Sequence, residues 1–97
     1  MKVVHINTAL SWSGGEAQTL YLIKGLIEEG ITNTLIAQPG SRLVQRAKDA
    51  DIHVKEVRMR GLRDLSAILK IRNILKNISP DILHLHTSHA HTLGLLA

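Results

Sequence analysis

The sequence of 97 residues lacks cysteine and phenylalanine and contains one tryptophan, one tyrosine and two prolines. The absence of cysteine excludes a disulfide framework and any thiolate metal site. The shortage of aromatic side chains leaves the core to Leu, Ile, Val and Ala, and it argues against a stacking platform for nucleic acid, so we expect no nucleic-acid partner. No apolar run reaches the roughly 20 residues of a membrane-spanning helix. Because residues 1–6 begin a strand pattern without the apolar core of a signal peptide, we expect a folded, cytoplasmic protein.

Strand patterns alternate with helical patterns along the chain. Strands are predicted at 3–6, 34–37, 52–57 and 82–86. Helices are predicted at 14–29, after Ser41, across the apolar positions from Leu65 to Ile78, and after Ser88. Ser79-Pro80 should end the long helix. The final helical pattern runs to Ala97 without a capping residue, so we expect residues 1–97 to be one truncated domain of a longer protein.

This alternation of strands and helices predicts an α/β fold, a Rossmann-like doubly wound parallel sheet with helices on both faces. Right-handed crossovers that move outward from the first strand and then reverse give the strand order 3-2-1-4. The reversal lies between the first and fourth strands. Ligands of open parallel sheets bind beyond the carboxyl ends of the strands at such a reversal, so the loops after these two strands should form the site.

The first of these loops contains a pair of glycines. Gly14 and Gly15 follow Trp12 and Ser13 and precede Glu16, and Ser13 with Glu16 has the spacing of a capping box. Paired glycines let backbone amides at a helix N-terminus approach an anion, although they could also serve only tight packing of helix against strand. The loop lacks the third glycine of a dinucleotide fingerprint and the Gly-Lys-Ser/Thr ending of a P-loop, which disfavours both activities. Trp12 suggests either ligand contact or a core position.

The second loop is rich in histidine, since four of the six histidines lie between positions 84 and 91. His84 and His86 should share one face of a strand, and His89 could follow them, which would suit a metal ion. The nearest carboxylate, Asp81, lies at the opposite end of that strand, so we predict no metal site. His84 is interpreted as a core or hydrogen-bonded histidine, and His5 and His53 as structural ones. His86 is the better candidate to bind a hydroxyl or carry a proton.

Three stretches together resemble a known family, the GT-B glycosyltransferases. They are Ser13-Gly14-Gly15-Glu16-Ala17-Gln18, Glu29-Gly30, and Ser79-Pro80-Asp81-Ile82-Leu83-His84-Leu85-His86. The resemblance is to the N-terminal, acceptor-side domain of the group that includes glycogen synthase, sucrose synthase and lipopolysaccharide mannosyltransferases, which are similar to glycosyltransferase family 4. It implies transfer of a hexosyl group from a nucleotide-sugar to a glycan, lipid or other hydroxyl acceptor. It also implies a retaining mechanism without a metal or bound cofactor, and a separate donor domain beyond Ala97, without which this fragment should be inactive.

The resemblance further assigns roles to particular residues. It implies that His86 borders the acceptor pocket. The residues expected to bind substrate or phosphate are Trp12, Ser13, Gly14, Gly15, Glu16, Ser88 and His89.

Positive charge is concentrated after residue 40, where ten Lys and Arg face five Asp and Glu, within a formal net charge of +4. A solvated helical face accounts for much of such an excess. Arg58, Arg60 and Arg63, which follow the third predicted strand, are a basic patch for a phosphorylated or lipid-linked acceptor, peripheral at an anionic inner-membrane surface. A competing hypothesis is a non-catalytic, self-associating binding module. The exposed edge of the fourth strand would then favour a homodimer.

Overall fold

The computed structural model describes residues 1–9, 14–60 and 64–86. Within them the strands are β1 (Lys2–Asn7), β2 (Thr32–Ala37), β3 (His53–Glu56) and β4 (Ile82–Leu85). The helices are α1 (Gly14–Glu28), α2 (Arg42–Asp49) and α3 (Leu65–Ile78). All strand pairs are parallel and the order is β3-β2-β1-β4. The predicted fold class and strand order are confirmed, while the helix predicted after Ser88 lies outside the described residues.

Two separate apolar layers cover the two faces of the sheet, which confirms the prediction of helices on both faces. One layer packs Leu20 and Ile23 of α1 and Leu43 of α2 against Leu35 of β2, and we call that side of the sheet the α1 face. The other layer packs Ile71 of α3 against the central strands. The reversal of the chain after β3 places α3 on the side opposite α1, because right-handed crossovers in opposite directions fall on opposite faces.

Local side-chain chemistry sets the helix ends. Ser41 caps α2, with its hydroxyl accepting from the Val44 N–H at 3.2 Å. Asp64 caps α3 in the same way. The long helix ends at Ser79, which is left-handed at φ 51° and whose N–H bonds the Leu75 carbonyl. The predicted stop at Ser79-Pro80 is therefore confirmed, since a left-handed residue followed by proline cannot continue the helix.

Across the described ranges, no helix is long and apolar enough to cross a membrane. The longest, α1, has 15 residues, and a spanning helix needs about 20.

Candidate functional site

A cleft of about 330 Å³ lies between the start of α1 and the end of β4. It is lined by Gly15, Gln18, Thr19, Leu22, His84 and His86. This position is the carboxyl edge of the sheet where the strand order reverses, because β1 pairs with β2 on one side and with β4 on the other. Two of the residues proposed from the sequence, Gly15 and His86, therefore line one cleft.

The first turn of α1 is tied to the end of β1 by buried polar groups. The Asn7 amide donates to the Thr19 hydroxyl at 3.3 Å, and that hydroxyl donates to the Gly15 carbonyl at 3.0 Å. The Asn7 side-chain oxygen, Oδ1, accepts from the Ala9 N–H at 2.9 Å. Buried side-chain amides that are fully hydrogen-bonded hold their surroundings in one arrangement. The glycine end of α1 is thus held in place from within the sheet.

The two glycines at that end are exposed, and no internal contact requires them. A Cβ placed on Gly14 or Gly15 would meet nothing within 4 Å among the described residues, and neither residue has a positive φ. The interpretation of these glycines as packing residues is therefore wrong for the part of the chain that is described. Because glycine has no side chain, neither residue itself screens the backbone of the first turn.

Three histidines gather on the α1 face of the sheet at the same edge. His5 pairs with His84 across β1 and β4, and parallel partners project to the same face. His86 follows two residues later, so its ring lies above the same row. The ring centroids of His84 and His86 are 4.0 Å apart, and those of His5 and His86 are 5.3 Å apart. Sequence reasoning had placed His5 apart from this cluster.

Hydrogen bonds define which nitrogens of these rings carry protons. The Asn33 NH₂ group donates to the Ile31 carbonyl at 2.8 Å, so its oxygen must accept from His5 Nε2 at 2.8 Å. In a neutral His5 ring, Nδ1 is then an acceptor. His86 Nε2, 3.1 Å away, must donate to it. The result is a chain of hydrogen bonds from Asn33 on β2 through His5 on β1 to His86, just after β4. In a neutral His86 ring, Nδ1 is then unprotonated.

Burial favours the neutral form of the His5 and His86 rings. It lowers the pKa of His5, against the opposing effect of the hydrogen bond to Asn33 and with a smaller contribution from neighbouring His84. It also lowers the pKa of His86 to about 4, with His84 and His5 adding to the effect. Near neutral pH, His86 therefore offers a lone pair and not a positive charge.

His84 departs from the sequence interpretation. Its side chain is exposed and stacks on His86, so of the two interpretations the core position is wrong. The reason is that among the described elements α1 and α2 cover the α1 face over β1, β2 and β3, whereas β4 lies at the edge of the sheet beyond them.

A single buried side chain joins the loops that follow β1 and β3. Gln38, just after β2, donates from Nε2 to the carbonyls of Thr8 and Met59, both at 2.9 Å. Its Oε1 accepts from the Met59 N–H at 2.9 Å. The sequence predicts that a strand ends at residue 37, and it indicates no role for Gln38. The loops that follow β1 and β3 are thereby held together at the carboxyl edge of the sheet.

The other predicted site residues are placed as follows. Glu16 is buried at 5% exposure in the first turn of α1. Arg58 and Arg60 are both exposed after β3. Five predicted residues lie outside the described ranges: Trp12, Ser13, Arg63, Ser88 and His89.

A parallel sheet in the order 3-2-1-4, with a cleft at its reversal, defines a Rossmann-like α/β domain, a fold whose ligands generally lie at the carboxyl edge of the sheet. The family model described as Glycosyltransferase Family 4 matches residues 12–97. The chain therefore belongs to glycosyltransferase family 4, and the resemblance inferred from its motifs is confirmed.

Solved structures give the same fold. MurG of Acinetobacter baumannii superimposes with a TM-score of 0.78 at 21% identity, over 100% of this chain and 32% of that one. A glycosyltransferase from Rickettsia africae ESF-5 superimposes with a TM-score of 0.79 at 27% identity, over 98% of this chain and 26% of that one. No curated protein matches the chain. The chain thus spans about a third or less of the length of these two structures.

Proposed function

We propose that this chain is the acceptor-side domain of a glycosyltransferase that moves a hexosyl group from a nucleotide-sugar to a hydroxyl acceptor. The observation that carries the proposal is the cleft between Gly15 and His86, at the edge where a ligand of this fold would lie. Membership of glycosyltransferase family 4 supports it. The donor-binding domain would correspond to the part of the related structures that this chain does not span.

The proposed role of His86 follows from its protonation. Its Nε2 is engaged with His5, and in the neutral ring Nδ1 is an acceptor. An acceptor hydroxyl that donates to Nδ1 would be held with its oxygen lone pairs free to attack the anomeric carbon. As the bond from that carbon to the diphosphate oxygen breaks, the hydroxyl turns its proton from Nδ1 to the departing diphosphate oxygen, which carries it away in the retaining mechanism expected for the family. His86 is in this proposal a substrate-binding group.

The proposed role of Gly14 and Gly15 is to admit the diphosphate. Both residues are exposed at the N-terminus of a 15-residue helix, and neither carries a side chain that could screen the first-turn amides. Amides at a helix N-terminus attract anions. Ser13, Trp12, Ser88 and His89 stay predictions for the same ligands, and Glu16 would act by shaping the turn, since it is buried.

Arg58 and Arg60 support the further proposal of a peripheral position at an anionic membrane. Both are exposed on the loop after β3, where they could meet a phosphorylated or lipid-linked acceptor. Self-association is the second candidate, favoured by the edge strand β4, whose Ile82 is 47% exposed. A homodimer remains a prediction, and light scattering that shows a monomer at all concentrations would count against it.

The proposal is tested in the complete protein that carries this chain, by following nucleoside diphosphate release from a panel of nucleotide-sugars. We expect His86→Ala to lower kcat/KM for the acceptor by about 10-fold or more, the cost of a lost hydrogen bond to substrate. The matched control is His53→Ala, an exposed strand histidine on β3, away from the cleft. Equal rates in the His86→Ala and His53→Ala proteins would contradict the role of His86.

A second pair of variants tests the glycine end of α1. Gly15→Val places a side chain toward the cleft without an internal clash, so the domain should fold and nucleotide-sugar binding should weaken. Gly25→Val is the control, because Gly25 lies in the same helix, is also free of clashes, and does not line the cleft. If both variants bind the nucleotide-sugar equally well, no ligand approaches Gly15.

A further inference from the structure

The histidine cluster has the composition of a metal site. His5, His84 and His86 each offer a ring nitrogen, and the three nitrogens lie within 4.8 Å of one another. We propose that these residues form a binding site for a divalent transition-metal ion of the zinc class. This departs from the sequence prediction of no metal, which considered His84, His86 and His89 and left out the partner on β1.

The distance between two of the nitrogens already suits coordination. His5 Nδ1 and His86 Nε2 are 3.1 Å apart. In a tetrahedral zinc site with metal–nitrogen bonds of 2.0–2.1 Å, neighbouring ligand nitrogens are about 3.4 Å apart. An ion would therefore take the place of the proton between the rings after a shift of a few tenths of an ångström. His86 remains neutral on binding, because its proton moves from Nε2 to Nδ1. In this metal-bound state Nδ1 donates, so it no longer accepts from a substrate hydroxyl as it does in the metal-free ring.

The surroundings of His5 supply the outer contact that metal-binding histidines have. Its Nε2–H donates to the Asn33 oxygen at 2.8 Å, and the Asn33 amide is itself held by the Ile31 carbonyl. Such a hydrogen bond fixes the tautomer, orients the free nitrogen toward the ion and increases its basicity. His5 is fully buried, so this orientation is already set before an ion binds.

His84 supplies the third ligand by rotating. Its ring is stacked on His86 with an angle of 20° between the planes, so the lone pairs of the two rings run nearly parallel. Because the side chain is exposed, the ring can rotate toward the ion without displacing a buried neighbour. Because His84 and His86 line the cleft together with Gly15 and Gln18, water in the cleft would fill the fourth position. Three imidazoles suit Zn²⁺, Ni²⁺ or Cu²⁺, whereas Mg²⁺ requires oxygen ligands.

Zinc titration of the full chain, purified without a histidine tag and stripped with EDTA, tests the proposal. Calorimetry should show one Zn²⁺ per chain and no binding of Mg²⁺. His84→Ala, an exposed change that circular dichroism should show to be folded, should weaken Zn²⁺ binding by about 10-fold or more. Asn33→Leu should weaken it by about 10- to 100-fold through loss of the outer hydrogen bond.

The control variant is His53→Ala, which removes an exposed strand histidine bonded to Thr34 and distant from the cluster along the sheet. It should bind Zn²⁺ as the unaltered chain does. No Zn²⁺ binding by the unaltered chain, or equal affinity in the His84→Ala and unaltered chains, would overturn the proposal. The titration needs no nucleotide-sugar, so its outcome is independent of whether the chain serves sugar transfer.

Discussion

Gln38 should contribute more to stability than its position outside any helix or strand suggests. Its amide makes three hydrogen bonds of 2.9 Å, two of them to Met59 and one to Thr8, and the side chain is 7% exposed. The perturbation is Gln38→Leu, which keeps similar volume and removes every polar partner. The Met59 N–H is then left buried without the acceptor it has now.

The expected loss follows from these contacts. Each hydrogen bond contributes about 1 kcal/mol net, and an orphaned buried N–H costs about 1–3 kcal/mol. Some of these groups will recover water when the loops relax, so we expect a loss of about 3 kcal/mol in the free energy of unfolding. Gln38→Glu should lose at least as much, because a carboxylate oxygen would face the carbonyls of Thr8 and Met59.

Urea unfolding followed by circular dichroism measures the effect, provided that the slope of free energy with urea is unchanged. The matched control is Gln45→Leu, because Gln45 is exposed on α2 and bonds only Asp49 among the described side chains. Exposed changes of this kind usually stay within about 0.5 kcal/mol. If the losses in free energy of unfolding for Gln38→Leu and Gln45→Leu differ by less than about 1 kcal/mol, the hydrogen bonds of Gln38 do not hold the loops as described.

Two further outcomes follow. With EDTA present, unfolding free energy should fall by about 1 kcal/mol between pH 7 and pH 5. The reason is that His86 has a pKa of 6.5 in the unfolded chain and about 4 in the folded one, so the unfolded chain takes up a proton as the pH falls. The complete pKa shift would lower the free energy of unfolding by about 2 kcal/mol at pH 5, and the partial exposure of the ring reduces this loss. The His86→Gln chain should lack this part of the slope, and His53→Gln should keep it. Separately, Ile71→Ala, in the core of α3, should lose about 2–5 kcal/mol in urea unfolding, against little change for Leu69→Ala at 62% exposure; similar losses in both would refute the packing of α3.

Much of the fold was predictable because local patterns and crossover handedness act together. The four strand patterns and the three helices between them leave few topologies once crossovers are right-handed, and the reversal before β4 follows. The observed strand bounds differ from the predicted ones where pairing with a neighbouring strand lengthens a strand. Thr32 and Asn33, which precede the predicted strand start at Thr34, join β2 because β1 pairs with them.

The site was predictable only where it depends on one strand. Alternation placed His84 and His86 on one face, but the pairing of His5 with His84 depends on the register between β1 and β4, which no local pattern reports. Gln38 was missed for the same reason, since its partners lie 21 and 30 residues away in sequence. Asp64 was within reach, because an aspartate directly before the first apolar position of a helix is a capping signal.

The line of side chains from Asn33 through His5 to His86 also has a mechanical consequence. It runs across the strands, from β2 through β1 to β4, at right angles to the direction of the chain. A force that peels the edge strand β4 away must therefore open a ring-to-ring bond in addition to the backbone bonds, such as that from the His86 N–H to the Ile6 carbonyl. Under tension, this bond adds resistance at the carboxyl end of β4, while the Asp81 carboxylate, which accepts from the Lys2 N–H at 2.8 Å, ties the amino end to β1.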